Sequence, residues 1–246
     1  MEVVLLCGGT GTRLREQTEF IPKPLIPIGG KPLVVRIMEH YIKYSHSGFV
    51  LALGYKQEQF KLYFNNYQVI NQDMILHRGH VGVIESPQSD FTVILSDTGE
   101  NTLKGGRLKR IEQYISGDTF MMTYGDALSD VNLDDLVNFH THHGKMVTIT
   151  GVRPRPRFGE ILHENGEVID FKEKPASNSL VNGGFMVLNR KVFDYLDRDC
   201  DFEKGPLEQI AKEGELMVYQ HTGYWRCMDT YFDMLELQKE WRERNA

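Results

Sequence analysis

The sequence predicts an α/β fold with a mostly parallel sheet. Short apolar runs that do not alternate with polar residues are bounded by glycines, as expected for strands buried on both faces. These runs alternate with segments of helical periodicity, which is the pattern of strand–helix–strand units. The chain has 246 residues, 41% hydrophobic and 25% charged, so it can bury a large core without disulfides or metal.

Each element follows from a local pattern. The strands begin with an apolar run at 3–7 that ends at two glycines. Further strands are predicted at 48–54, 91–95, 119–124, 146–152, 168–171, 185–188 and 216–219. Helices are predicted at 33–44, 57–66, 104–115, from an Asp130 cap to about 140, near 206–213 and at 231–244.

The predicted elements indicate one domain rather than two. We expect a single domain over 1–246, because no repeat and no low-complexity stretch divides the chain. The first half, about 1–150, carries the strand–helix alternation, and 151–246 would form a smaller lobe and a C-terminal helix.

Charge and cysteine content exclude several classes. The net charge of −6 lacks the basic footprint of a general nucleic-acid binder. Cys7, Cys200 and Cys227 are odd in number and widely spaced, so neither a disulfide framework nor a zinc knuckle is indicated. No apolar run is long enough to span a bilayer, and the N-terminus has no basic segment of a signal peptide. We therefore expect a cytoplasmic protein with no nucleic-acid or membrane partner.

A glycine-rich turn follows the first strand. Residues 8–14 read GGTGTRL, which is neither the G-x-G-x-x-G dinucleotide fingerprint nor a P-loop. Glycines at a strand end let phosphates approach the backbone N–H groups, and Arg13 adds a fork of donors. On spacing alone, a phosphate loop and a plain tight turn are equally compatible with this segment.

Three charged residues have positions suited to phosphoryl chemistry. Lys23 lies between two prolines that stiffen the backbone and would aim its charge. Asp126 ends a predicted buried strand, where one carboxylate oxygen can bind Mg²⁺, and Asp229 is a second candidate ligand. The ordinary alternatives are a solvated loop lysine and aspartates that stabilise turns.

The remaining candidates are weaker. Arg107 follows two glycines in a basic segment and would contact a phosphate or a base, unless that segment is a solvated helix face. Lys174, in Glu-Lys-Pro, would contact an anionic acceptor. His140, His142 and His143 do not favour a metal site, because they fall at a predicted helix C-terminus where histidine is stabilised by the dipole.

Taken together, the motifs resemble the sugar-phosphate nucleotidyltransferases from residue 3 to about 230. The general family motifs are LCGGTGTRL at 6–14, PKP at 22–24, GGKP at 29–32 and EKP at 173–175. The sequence is most similar to the glucose-1-phosphate cytidylyltransferase branch, whose motifs are GYK at 54–56, DTG at 97–99, GGRLKR at 105–110, TYGD at 123–126, RFG at 157–159, NGGF at 182–185 and GELM at 214–217.

The resemblance implies a fold, a reaction and a set of site residues. The fold would be a Rossmann-like three-layer α/β/α sandwich with a mixed, mostly parallel sheet and a small acceptor-binding lobe, assembled as a homo-oligomer. CMP would pass from CTP to a phosphorylated acceptor, with glucose 1-phosphate as the expected acceptor and Mg²⁺ as cofactor. Arg13, Lys23 and Asp126 would be catalytic, and Asp126 and Asp229 would bind the metal ion. The acceptor-binding residues would be Glu173, Lys174 and Asn182. The nucleotide-binding residues would be Leu6, Cys7, Gly8, Gly9, Thr10, Gly11, Thr12, Arg13, Lys23, Thr102, Arg107 and Gly125.

The departures from the family pattern fall on the acceptor side. Ala127 replaces the last glycine of Gly-Asp-Gly, Glu160 stands where a small residue is usual, and 202–207 replaces a Trp-x-x-Glu-Pro-Leu stretch. Two alternatives therefore stay open: the same chemistry on a different sugar phosphate or non-sugar phosphate, and an inactive nucleotide-sensing subunit.

Overall fold

The computed structural model describes residues 1–77, 80–83, 90–155, 158–173 and 179–245. The strands are β1 (Glu2–Leu6), β2 (Pro27–Ile28), β3 (Lys31–Pro32), β4 (Gly48–Leu53), β5 (Met74–His77), β6 (His80–Val83), β7 (Thr92–Asp97), β8 (Thr119–Tyr124), β9 (Ala127–Ser129), β10 (Val147–Val152), β11 (Glu160–Glu164), β12 (Glu167–Lys172), β13 (Val181–Asn189), β14 (Leu216–Gln220) and β15 (Trp225–Cys227). The α-helices are α1 (Arg15–Thr18), α2 (Leu33–Ile42), α3 (Gln57–Asn65), α4 (Tyr67–Asn71), α5 (Lys104–Arg110), α6 (Leu133–His143), α7 (Glu208–Lys212) and α8 (Tyr231–Asn245).

A seven-stranded sheet in the order β14-β10-β13-β8-β1-β4-β7 forms the centre of the fold. Strand β13 runs antiparallel to β10 and β8, and the other neighbours are parallel. The predicted mixed, mostly parallel sheet is therefore confirmed. The carboxyl ends of β1, β4, β7 and β8 consequently lie at one edge, where ligands bind in open α/β sheets.

Apolar side chains cover both faces of this sheet, which makes the fold three-layered. Val3 and Leu5 of β1 pack on one face with residues of α2, α6 and α8. Val4 and Leu6 point the other way and pack with residues of α5 and α7. Alternate side chains of a strand face opposite sides of a sheet, so the continuous apolar run of β1 serves both layers.

Helix boundaries differ from the prediction in several places. A short helix that was not predicted, α1, lies between the glycine-rich turn and Pro22, and the predicted helix 57–66 continues, after a break, as α4. Helix α5 ends at Arg110 and is followed by a 3₁₀ turn, so the helix predicted over 104–115 is shorter than expected.

The predicted Asp130 cap of helix α6 is wrong. The side chain of Asn132 caps this helix instead, accepting a hydrogen bond from the backbone N–H of Asp135 at 3.1 Å. Asp130 accepts from the backbone N–H of Tyr224 at 2.7 Å, so its carboxylate ties two loops together. Gly144 ends the helix in the left-handed conformation, as the sequence predicted.

Two small antiparallel pairs lie outside the central sheet. Strands β9 and β15 pair with Ala127 opposite Cys227. Strands β11 and β12 form a hairpin whose apolar side chains, including Ile161 and Phe171, are more than half exposed. Among the described residues, no helix combines the length and apolar character needed to cross a bilayer.

His140 gives the fold a dependence on pH. Burial, with a smaller contribution from His143, lowers the pKa of His140 to about 4, and its Nδ1 lies 2.8 Å from the Thr148 hydroxyl. The unfolded chain, with an ordinary pKa near 6.5, takes up the proton more readily. The stability contributed by neutral His140 is therefore present above pH 6.5 and lost as pH falls toward 4.

We predict that His140→Gln will reduce the acid sensitivity of folding. Lowering pH from 7 to 5 should cost the wild-type protein about 2 kcal/mol more unfolding free energy than the variant. Urea unfolding at both pH values measures the difference, and His142→Gln, at an exposed position of the same helix, is the control. Equal losses in wild type and His140→Gln would contradict the assignment.

Candidate active site

A cleft of about 1080 Å³ opens at the carboxyl edge of the sheet. Its described lining contains most of the residues singled out from the sequence: Leu6, Cys7, Gly8, Gly9, Gly11, Thr12, Arg13, Lys23, Thr102, Arg107, Gly125, Asp126, Asn182 and Asp229. Thr10, at the exposed loop tip, and Glu173, after β12, are not among these lining residues. Lys174 lies outside the described residues.

The glycine-rich turn forms one wall of the cleft. Gly11 adopts the left-handed conformation with φ of 64° and leads into a 3₁₀ turn over Thr12–Leu14. The Thr18 hydroxyl donates to the Gly11 carbonyl at 3.1 Å. A Cβ at Gly11 would lie only 2.8 Å from the Thr18 methyl, so both backbone conformation and space favour glycine there.

Lys23 bridges two carboxylates inside the cleft. Its side chain is 11% exposed, and its Nζ donates to Asp126 Oδ2 and Asp229 Oδ1, both at 2.9 Å. Arg13 Nη1 lies 2.7 Å from the other oxygen of Asp229. Four side chains from widely separated segments therefore form one ion network.

The electrostatics keep this network charged. Burial alone would lower the pKa of Lys23, but the neighbouring Asp126 and Asp229 carboxylates outweigh it and raise that pKa. Burial alone would raise the pKa of Asp229, but its hydrogen bond and charge interaction with Lys23, and then Arg13, lower it. The carboxylates therefore stabilise the protonated form of Lys23, and Lys23 and Arg13 stabilise the ionised form of Asp229.

The β9–β15 pair brings the two aspartates together. Asp126 directly precedes β9, and Asp229 lies two residues beyond β15. The backbone N–H of Met228 donates to the Asp126 carbonyl at 2.8 Å, which extends the ladder. The sequence contained both aspartates but gave no signal for a pair of three-residue strands.

The same corner of the cleft fits a divalent cation. Ligand atoms of Asp126, Cys227 and Asp229 lie within 4.8 Å of one another. Burial, followed by the charge of Asp126, raises the pKa of Cys227, so its thiol stays neutral. Carboxylate oxygens are the hard ligands that Mg²⁺ prefers. The Lys23 ammonium already contacts one such oxygen of each aspartate.

Arg107 has a different environment from the solvated helix face considered above. It is 4% exposed, and its guanidinium donates to backbone carbonyls, including that of Gly8 at 2.9 Å. Burial lowers the pKa of Arg107, although a guanidinium stays protonated in proteins. The residue lies behind the glycine-rich turn.

Two further lining residues, Lys104 and Tyr124, belong to a cluster that sequence reasoning missed. The Tyr124 hydroxyl donates to Glu203 Oε1 at 2.5 Å, and Lys104 Nζ approaches the same oxygen at 2.5 Å. Asn182 is the second residue of the antiparallel strand β13, and its side-chain oxygen accepts from the Gly184 N–H at 2.9 Å. The TYGD motif at 123–126 and the NGGF motif at 182–185 pointed to Tyr124 and Asn182, but nothing in the sequence linked Tyr124 to Lys104 and Glu203.

Comparison with known proteins shows the family of the chain. The family model described as nucleotidyl transferase matches residues 2–243. The chain belongs to the nucleotidyl transferase family. A probable glucose-1-phosphate cytidylyltransferase of Bacillus subtilis (strain 168) is 42% identical to this nucleotidyl transferase, over 99% of the chain and 97% of the relative.

Two further comparisons extend the likeness. The glucose-1-phosphate cytidylyltransferase of Salmonella typhi is 39% identical, over 100% of this nucleotidyl transferase and 98% of the relative. The crystal structure of HddC from Yersinia pseudotuberculosis has a TM-score of 0.69 at 23% identity, covering 97% of the chain and 98% of that structure. The last comparison shows the shared α/β fold.

We predict that Lys23→Gln will make the ligand-free protein respond more strongly to Mg²⁺. Without the ammonium, the two carboxylates repel each other and an added cation takes its place. Mg²⁺ at about ten times its dissociation constant should add about 1.4 kcal/mol of unfolding free energy to the variant. The wild type should gain less. Thermal unfolding with and without Mg²⁺ measures this difference.

Lys31→Gln is the matched control. Lys31 pairs with Glu39 at 2.6 Å and does not line the described cleft. An equal Mg²⁺ response in wild type and Lys23→Gln would show that the ammonium does not occupy the cation position.

Proposed function

We propose that the protein transfers CMP from CTP to glucose 1-phosphate, releasing pyrophosphate and forming CDP-glucose. Two relatives named as a probable and an assigned glucose-1-phosphate cytidylyltransferase match nearly the whole chain at 42% and 39% identity, and their names support these substrates. The structural observation that carries the proposal is the convergence of Lys23, Asp126 and Asp229 beside the glycine-rich turn.

The reaction is an in-line displacement at phosphorus. An oxygen of the glucose 1-phosphate phosphate group forms a bond to the α-phosphorus of CTP, and the bond to the β-phosphate oxygen breaks. The attacking phosphate is already ionised, so no strong general base is needed. Holding both substrates in line and stabilising negative charge supply the rate enhancement.

Each charged residue has a part in this scheme. The glycine-rich turn binds the phosphates through backbone N–H groups, with Arg13 beside it. Lys23 contacts the α-phosphate, where charge accumulates in the transition state. Asp126 and Asp229 would hold Mg²⁺, which when bound would neutralise phosphate charge and help to orient the triphosphate.

The ion network suggests how the site changes on substrate binding. Phosphate oxygens compete with the carboxylates for Lys23 and Arg13. As these cations turn to the nucleotide, oxygens of Asp126 and Asp229 become free for the metal ion. CTP and Mg²⁺ would then each strengthen the binding of the other.

Two positions that depart from the family pattern lie away from the cleft wall. Glu160 is exposed on the hairpin and pairs with Lys172 in the β11–β12 ladder. Phe202 is fully buried among apolar side chains packed on the sheet. Glu160 and Phe202 therefore give no reason to choose another acceptor, whereas Ala127 lines the cleft. The choice of glucose 1-phosphate rests on the relatives, and the retained Lys23 and aspartates favour an active enzyme over a nucleotide sensor.

We also propose that about 1–150 binds the nucleotide, that 151–246 binds the acceptor, and that the enzyme is a homo-oligomer. The exposed apolar hairpin supports self-association: Phe158 is 79% exposed, and Ile161, Leu162 and Phe171 exceed half. Light scattering tests this, with a mass of two or more chains expected and the 28.4 kDa monomer contradicting it.

Pyrophosphate release with each nucleoside triphosphate and a panel of phosphorylated acceptors tests the function. We predict turnover with CTP and glucose 1-phosphate, at least about tenfold above other pairs in kcat/KM, because each 1.4 kcal/mol of discrimination gives that factor. If CTP turns over only with a different acceptor, that compound and not glucose 1-phosphate is the acceptor. Tight CTP binding without turnover on any acceptor would overturn the enzymatic proposal.

A further inference from the structure

A buried arginine joins three strand ends behind the glycine-rich turn. Arg107 Nη1 donates to the carbonyls of Leu53 at 3.0 Å and Gly99 at 2.7 Å. Its Nη2 donates to the carbonyls of Gly8 and Glu100, both at 2.9 Å. Leu53 ends β4, while Gly8 and Gly99 lie just beyond β1 and β7, so one guanidinium connects the carboxyl ends of three neighbouring parallel strands.

Two glycines supply the space for this guanidinium. A Cβ at Gly8 or at Gly54 would overlap the Arg107 side chain. Neither glycine has a positive φ, so their backbone conformations would accept alanine and only the space excludes it. The packing of the Arg107 side chain therefore explains both the glycine of the GYK motif at 54–56 and the first glycine of the turn.

Two more glycines bring Arg107 into this position. A Cβ at Gly105 would lie 2.9 Å from the Cys200 carbonyl, and a Cβ at Gly106 would lie 3.0 Å from the Asp199 Cα. The Gly106 N–H donates to the Cys200 carbonyl at 3.1 Å. Helix α5 thus packs directly on backbone, which fixes the residue that follows the glycine pair.

Dipoles surround the Arg107 guanidinium, and the Asp97 carboxylate acts on its charge without an ion-pair contact. Within the described part of the chain, no carboxylate lies within 4 Å of its guanidinium, whose acceptors are four carbonyls and the Thr98 hydroxyl. A buried cation without a paired anion leaves a positive potential behind the turn. That potential favours a bound phosphate without a direct contact.

We propose that Arg107 is a positioning residue, which fixes the glycine-rich turn for the nucleotide by bonding the carbonyls of Gly8 and Leu53. This role differs from the direct nucleotide contact that the resemblance implied. It rests on the proposed nucleotide-binding function of the turn. The backbone hydrogen bonds that it supports, however, can be measured without any substrate.

Two amides report on this contact in the ligand-free protein. The Tyr55 N–H donates to the Gly8 carbonyl at 3.2 Å, and the Thr98 N–H donates to the Leu53 carbonyl at 3.0 Å. Both carbonyls also accept from Arg107. Removing the guanidinium should therefore speed hydrogen exchange at Tyr55 and Thr98, because local opening becomes easier.

The experiment compares Arg107→Ala with Lys109→Ala. Lys109 is a basic residue of the same helix that donates to the Phe193 carbonyl at 2.9 Å, away from the turn. Arg107→Ala should speed exchange at the two amides at least tenfold without nucleotide. It should also raise the KM for CTP at least tenfold, with a smaller change in kcat, and added guanidinium should partly restore both. Lys109→Ala should change neither.

A direct ligand would behave differently. If Arg107→Ala weakens CTP binding while exchange at Tyr55 and Thr98 stays as in wild type, the positioning role is overturned. If exchange rises but the CTP affinity is unchanged, the link to the nucleotide is overturned. If no nucleotide binds even the wild type, the proposed function fails, while the exchange data still test the contact.

Gly54→Ala provides a second variant that keeps the arginine. Its methyl group would displace the guanidinium and should reproduce the faster exchange and the higher KM for CTP. In the double variant with Arg107→Ala, the methyl has nothing to displace, so the two effects should be less than additive. Wild-type exchange in Gly54→Ala would overturn the proposal even if Arg107→Ala fails to fold.

Discussion

The site depends on one buried ammonium placed between two carboxylates. Lys23 is held in a proline-flanked 3₁₀ turn, while Asp126 and Asp229 come from segments about a hundred and two hundred residues away. Removing a partner from such a cluster leaves unpaired charge in a partly buried place, which is costly. The network therefore fixes the relative positions of three chain segments, and under the proposed mechanism it places positive charge beside the reacting phosphates.

The parallel sheet explains why these segments meet. Strands β1, β4, β7 and β8 all end at one edge, and the loops that follow β1, β7 and β8 line one cleft. Arg107 stiffens the ends of β1, β4 and β7. The β9–β15 pair places Asp229 beside Asp126, which follows β8. Among the described lining residues, six basic and five acidic side chains nearly balance. The acidic character of the whole chain therefore does not extend to the cleft. A metal ion bound there would add the positive charge that a triphosphate requires.

Local patterns predicted the central elements but not the contacts made through space. The apolar runs of β1, β4 and β8 identified buried strands, because a doubly covered strand needs no alternation. The resemblance gave roles to Lys23 and the aspartates. The short β9–β15 pair, however, has too few residues for a periodic signal, and it is what brings Asp229 to Asp126.

The role of Arg107 shows the same limit. A basic run after two glycines is compatible with an exposed helix face, and only the packed structure shows that Gly8 and Gly54 leave room for a guanidinium. The Asn132 cap was missed because Asp130, two residues earlier, is an equally good capping type. The cluster of Tyr124, Lys104 and Glu203 joins side chains about twenty to one hundred residues apart, with no spacing to reveal it.

A crystal structure with CTP and Mg²⁺ tests the central claim most directly, because the claim is that Lys23 exchanges its carboxylate partners for phosphate. The account predicts that Lys23 Nζ leaves both aspartates and lies about 3 Å from an α-phosphate oxygen. It also predicts a cation bound by Asp126 and Asp229. A structure with nucleotide bound in the cleft and Lys23 still bridging the two carboxylates would contradict it.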